Sequence, residues 1–176
     1  MTDILTVLDP TADVAAAVAG PLVEPPASLA GLTIGVLDNG KSNSDQFLAR
    51  LGDRLAQRGA TVADRIRKPG VGSLAPEEQV ARLVEGSDLV VTGVGDCAGC
   101  CSCSVQDAIA IERRGVPAVL ICTSEMVTTG RIAATAAGVP EYPFVVVDHP
   151  VASCTDEELD GRVDRALAQI LERIPG

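Results

Sequence analysis

Aromatic side chains are nearly missing from this 176-residue chain: two Phe, one Tyr and no Trp. Stacking platforms for bases or sugars are therefore largely excluded, and the core must be built from Val, Ile, Leu and Ala. Histidine occurs once. Basic residues are outnumbered, 14 Lys and Arg against 24 Asp and Glu, for a net charge of −10. That balance argues against nucleic acid and anionic membrane as partners. No run reaches the roughly 18 apolar residues of a membrane span. The chain opens Met1-Thr2-Asp3, without the basic stretch of a signal peptide. The expected location is cytoplasmic, where thiols rest reduced. Neither an internal repeat nor a low-complexity tract is visible.

What is present is apolar and compact in character: 47% hydrophobic residues and 22% charged. This fits one globular domain with a real core. The six cysteines are not spread as staples. Cys97, Cys100, Cys101 and Cys103 share one short stretch, which points to redox chemistry or metal binding.

The elements read in alternation. Ile4 to Leu8 reads as a short strand. Residues 12 to 30 lack a clean period and read as an arm packed on another surface, such as a second subunit in a homo- or hetero-oligomer; residues 1 to 31 are set apart from an α/β domain over 32 to 176. Strands are expected at Thr33–Leu37, Thr61–Ile66 (nearer an edge), Asp88–Val94, Ala118–Cys122 and Phe144–Val147. Helices are expected at Ser44–Arg58, Pro76–Val84, Ser104–Gly115, Glu125–Ala137 and Asp156–Ile174. Ser104 with Asp107 reads as an N-cap pair, and Gly130 as an interruption. This alternation predicts a three-layer α/β/α fold on about five mostly parallel strands, flavodoxin- or Rossmann-like.

In such a sheet all strand C-termini face one rim, where ligands bind. Onto that rim fall Asp38-Asn39-Gly40-Lys41-Ser42-Asn43, then Lys68-Pro69, then Asp96 and the cysteine turn, then Cys122-Thr123-Ser124-Glu125, and last Asp148-His149-Pro150. Cys97-Ala98-Gly99-Cys100 lies between a strand and a helix start. There, orphan N–H groups and the helix dipole lower a thiol pKa from its usual value of roughly 8.5. Asp96 opposes the shift if it points at the sulfur. No Lys or Arg occurs between Arg82 and Arg113, so a helping cation must come across the rim, with Lys41 the candidate. Cys122 and Cys154 read as buried or inert thiols, and Cys101 and Cys103 as filling space under the turn.

Thr92-Gly93-Val94-Gly95-Asp96-Cys97-Ala98-Gly99-Cys100, followed by Cys103-Ser104-Val105-Gln106-Asp107-Ala108, resembles the UGSC family of selenoproteins and their cysteine homologues. The Asp38–Asn43 stretch, Arg114-Gly115-Val116-Pro117 and Asp148-His149-Pro150 extend the likeness from about Leu32 onward. The resemblance places the family's selenocysteine on Cys97 and its cysteine on Cys100. It also implies a distant similarity to the selenoprotein B component of glycine-reductase-type systems, which cleave carbon–heteroatom bonds reductively. Two features depart from the pattern: cysteine replaces selenocysteine, and Ala98-Gly99 stands where the family has Gly-Ser.

The leading expectation is a thiol oxidoreductase acting on a small molecule. Cys97 attacks, Cys100 resolves, and an external dithiol donor of thioredoxin-like kind restores the pair. Asp38, Asn39, Lys41, Asn43, Asp96 and Thr123 are expected to hold the substrate, and His149 or Glu125 to move a proton. The alternative is a zinc or iron site drawn from Cys97, Cys100, Cys101, Cys103 and Cys122, supporting hydratase or lyase chemistry. The third is a non-catalytic subunit whose arm docks on a larger enzyme.

Overall fold

The structure, a computed structural model, describes residues 22–176. Five strands, β1 (Thr33–Asp38), β2 (Thr61–Arg67), β3 (Leu89–Gly95), β4 (Ala118–Thr123) and β5 (Phe144–Val147), form one sheet in the order β2-β1-β3-β4-β5. All four pairings are parallel. This is the flavodoxin-like order expected of right-handed crossovers. The central strands β3 and β4 are buried along their whole length, as continuous apolar runs covered on both faces must be. Edge strand β2 instead alternates exposed and covered positions.

Helices α1 (Ser44–Ala56) and α5 (Asp156–Arg173) cover one face of the sheet. Phe47, Leu48, Leu51 and Leu55 of α1 meet Leu159, Val163, Leu167 and Ile170 of α5 there. Helices α2 (Glu77–Gly86), α3 (Ala98–Glu112) and α4 (Val127–Ala136) cover the other, around Leu83, Val105, Ile109 and Ala134. The sheet therefore separates two apolar cores, which gives the three-layer α/β/α architecture.

Beyond shifts of a residue or two at helix ends, two helix features differ from expectation. Helix α3 starts at Ala98 with Cys97 as its N-cap, so Ser104 is not a cap. It lies buried inside the helix, and its Oγ accepts from Asn39 Nδ2 at 3.1 Å. Gly130 does not interrupt α4; a 3-10 turn, Ser124–Met126, precedes that helix and Gly130 sits within it. A Cβ at Gly130 would stand 3.0 Å from the Phe144 ring, so glycine is there for close packing against β5.

The expected strand at Ile4–Leu8, and the arm as far as Pro21, lie outside the described residues. The rest of the arm packs on its own chain. Leu29 is fully buried and its N–H donates to Pro175 O at 2.8 Å. Leu22 N–H donates to the buried Glu112 carboxylate at 2.7 Å, which also accepts from the Tyr142 hydroxyl at 2.8 Å.

Candidate active site

The strand order reverses direction between β1 and β3, and here the two loops that carry the chemistry leave the sheet. One is Asp38–Asn43, leading to α1; the other is Asp96-Cys97, leading to α3. Ligands bind at such switch points because the two loops diverge to opposite faces and leave a crevice. The strand feeding the cysteine turn is irregular. Its register with β4 slips between Thr92 and Gly95, a bulge that re-aims the side chains beyond it. Gly93 has φ 147°, and a Cβ there would meet Ile121 O at 2.9 Å, so only glycine fits.

At the turn, Cys97 is half-buried and Cys100 buried, with their sulfurs 2.7 Å apart. Cys100 Sγ accepts backbone N–H groups of Cys97 at 3.0 Å and Asp96 at 3.3 Å. Burial, and after it the contact with Cys97, push the Cys100 thiol up to about 12. The pair is thus asymmetric, with an accessible sulfur in front and a protonated one behind.

Asp96 is buried. Its two oxygens accept the N–H groups of Val151 and Ala152, each at 2.9 Å. Oδ1 also lies 3.1 Å from His149 Nδ1. The same nitrogen is 3.0 Å from Thr123 Oγ1, whose hydroxyl donates to Gly95 O at 3.1 Å. With a carboxylate and an engaged hydroxyl facing it, Nδ1 carries a proton. Nε2 is the nitrogen left for a reacting group. Chain order alone puts Asp96, Thr123 and His149 on one rim, but it holds no signal for the Val151 and Ala152 N–H groups that fix Asp96 there.

Several of the other expected substrate contacts also bond within the protein. Asn39 is fully buried, and its amide donates to Val94 O at 2.8 Å and to Ser104 Oγ. Its Oδ1 accepts Lys41 N–H at 3.1 Å. Asn43, in a left-handed conformation at φ 63°, donates to Val151 O at 3.1 Å, a conformation Asn tolerates better than most residues. Asp38 Oδ1 accepts Gly40 N–H at 2.8 Å and the Ser44 hydroxyl. The cation beside that loop is Arg67, 3.6 Å from Asp38. Lys41 is half-buried and Glu125 is exposed on the 3-10 turn. Lys68 is wholly buried and faces Asp107 at 2.5 Å.

The remaining thiols fall into place separately. Cys101 and Cys122 are fully buried with sulfurs 3.6 Å apart. Donation to Cys101, and then burial, push the Cys122 thiol up. Cys103 is half-buried, and Cys154 Sγ donates to Val151 O at 3.1 Å. Four of the five cysteines of the expected metal site are thus divided between two pairs, and Cys103 belongs to neither. Among the described residues no three His, Cys, Asp or Glu side chains are grouped as ligands for one ion. No helix among them is long and apolar enough to cross a membrane.

A family model describing the UGSC family matches residues 6–176, nearly the whole chain. The chain belongs to the UGSC family. The match spans both arms of the site, from the Asp38 loop to the His149 loop, so a UGSC-family chain is what assembles this crevice. A comparison with curated proteins gives no match.

Proposed function

We propose that this UGSC-family protein is a thiol-based redox enzyme acting on a small electrophilic molecule, in the manner of reductive cleavage of a carbon–heteroatom bond. One observation carries the reading: a half-exposed Cys97 in contact with a buried, high-pKa Cys100 at the switch point, beside an Asp96-oriented His149.

Cys97 as thiolate attacks the carbon of a C–X bond, and X departs with the electron pair, leaving a Cys97 thioether. Cys100 gives its proton to His149 Nε2 and attacks the Cys97 sulfur; the carbon leaves as a carbanion and is protonated by that same Nε2–H. The products are R–H, HX and the Cys97–Cys100 disulfide. Two electrons and two protons have moved from the dithiol to the substrate. An external dithiol, thioredoxin-like in chemistry, returns them. The carbanion must be stabilised by a neighbouring carbonyl, so the substrate class is an α-substituted carbonyl compound. Sulfurs 2.7 Å apart need less than an ångström of travel to reach the ~2.05 Å of a disulfide.

An α-halo ketone such as phenacyl bromide tests this. The wild type should release the parent ketone and gain a disulfide. Cys100→Ser should retain one adduct mass on Cys97, and Cys97→Ser should form none there. Ketone release by Cys97→Ser at the wild-type rate would overturn the reading.

A further inference from the structure

Two more thiols lie beneath the first pair, and reductive cleavage by Cys97 and Cys100 leaves them idle. Cys101 is on α3 and Cys122 near the end of β4. Glycines bring them together. At Gly95, the β3 partner of Cys122, a Cβ would stand 3.1 Å from Cys101 Sγ and 3.3 Å from its Cα. At Gly130 a Cβ would stand 3.4 Å from the same sulfur. The backbone of α3 therefore approaches the sheet unusually closely, and Cys101 Sγ fills the space that two absent side chains leave. Its sulfur stops 3.6 Å from that of Cys122. Cys101 also follows Cys100 directly, while Gly95 precedes Asp96, whose N–H reaches Cys100 Sγ. The two sulfur pairs thus bracket a single turn of chain.

We propose that Cys101 and Cys122 form a second redox dithiol that takes over the disulfide from Cys97 and Cys100. This rests on the reading of Cys97 and Cys100 as a redox pair. Cys101, whose sulfur accepts from Cys122 and whose N–H donates to Cys97 O at 2.8 Å, attacks Cys97 Sγ as thiolate; the Cys97–Cys100 bond breaks, and Cys100 leaves and takes up the proton that Cys101 gave. Cys122 then attacks Cys101 Sγ; Cys97 leaves and takes up the proton of Cys122. The outer pair ends reduced and the inner pair oxidised by the same two electrons, with no other reductant required. The exposed pair is reset before an external donor arrives, and the chain holds two dithiols' worth of electrons. Cys103 and Cys154 take no part.

The experiment uses reduced, desalted wild-type protein under anaerobic conditions, oxidised with one and then two equivalents of diamide. Samples are acid-quenched over hours, the range of uncatalysed disulfide rearrangement, then denatured, alkylated and digested with trypsin. Cleavage after Arg82, Arg113, Arg114 and Arg131 leaves Cys97, Cys100, Cys101 and Cys103 on one peptide and Cys122 on another. A Cys97–Cys100 bond is therefore internal to one peptide, and a Cys101–Cys122 bond joins two. After one equivalent, the internal bond should give way to the cross-link with time. After two, only Cys103 and Cys154 should alkylate. Cys122→Ala should still close Cys97–Cys100 but keep all its other thiols through the second equivalent. An internal bond that forms, stays put and leaves Cys101 and Cys122 alkylatable after two equivalents overturns the inference while sparing the outer pair. If no Cys97–Cys100 bond forms, the redox reading itself falls and this inference with it.

Discussion

Asp96 shows that a side chain's position can be read from chain order while its partners cannot. Its place after β3 is set by chain order, which put it on the functional rim. Its partners are two N–H groups 55 and 56 residues away, and they hold its Oδ1 3.1 Å from His149 Nδ1. Asparagine there would present an NH2 to one of those N–H groups, leaving a buried donor unsatisfied at about 1–3 kcal/mol. It would also release the His149 tautomer. In Asp96→Asn, ketone release should therefore slow by about 10²-fold or more, the range of a lost general acid. Alkylation of Cys97 should change only a few-fold, since His149 acts after the attack. Following adduct formation and release separately by mass spectrometry checks this; equal slowing of both steps would remove His149 from the second.

Among the elements, α3 carries the most. Its first turn presents Cys97 and Cys100, and its third anchors the rim through Asp107. Lys68 Nζ, fully buried, donates to Asp107 Oδ2 at 2.5 Å and to Ser73 O at 2.7 Å. Asp107 Oδ1 accepts Ala75 N–H at 2.8 Å. The loop between β2 and α2 is thereby tied to the cysteine helix. Removing one partner strands a buried charge, so Lys68→Met should lower unfolding free energy by about 3–5 kcal/mol. The double variant Lys68→Met, Asp107→Leu should recover part of that, and not all, because Ala75 N–H stays unpaired. Urea denaturation of the three proteins measures it. No recovery in the double variant would mean that the loss is one of packing rather than charge.

At the scale of the whole molecule, several buried acids keep their protons longer folded than unfolded. Burial pushes Cys100 up to about 12, Cys122 rises, and burial with the Glu112 carboxylate raises the Tyr142 hydroxyl well above its ordinary value. For such groups the unfolded chain loses protons first, so stability is fully present below pH 9 and falls as pH climbs from about 9 towards 12. The thermal midpoint should drop steadily across that window, and Cys100→Ala should flatten part of the slope. An unchanged slope in that variant would show that the Cys100 thiol does not contribute.

Much of the architecture is legible in the sequence because periodicity is local. Apolar runs such as Leu89–Val91 and Ala118–Ile121, alternating with amphipathic helices such as α1 and α5, leave a parallel sheet covered on both faces as the simplest way to bury them. Crossover handedness and chain order then put Cys97, Thr123 and His149 on one rim by themselves. Contacts between residues distant in sequence are not legible in this way. The start of α3 at Cys97 rather than Ser104 depends on the buried place that Asn39 makes for the Ser104 hydroxyl. The employment of Asn39, Asn43 and Asp96 inside the protein, the burial of Lys68 against Asp107 and the meeting of Cys101 with Cys122 over Gly95 are all decided by packing. A residue's type states which bonds it can make, but only the folded neighbourhood decides which partners are within about 3 Å to make them.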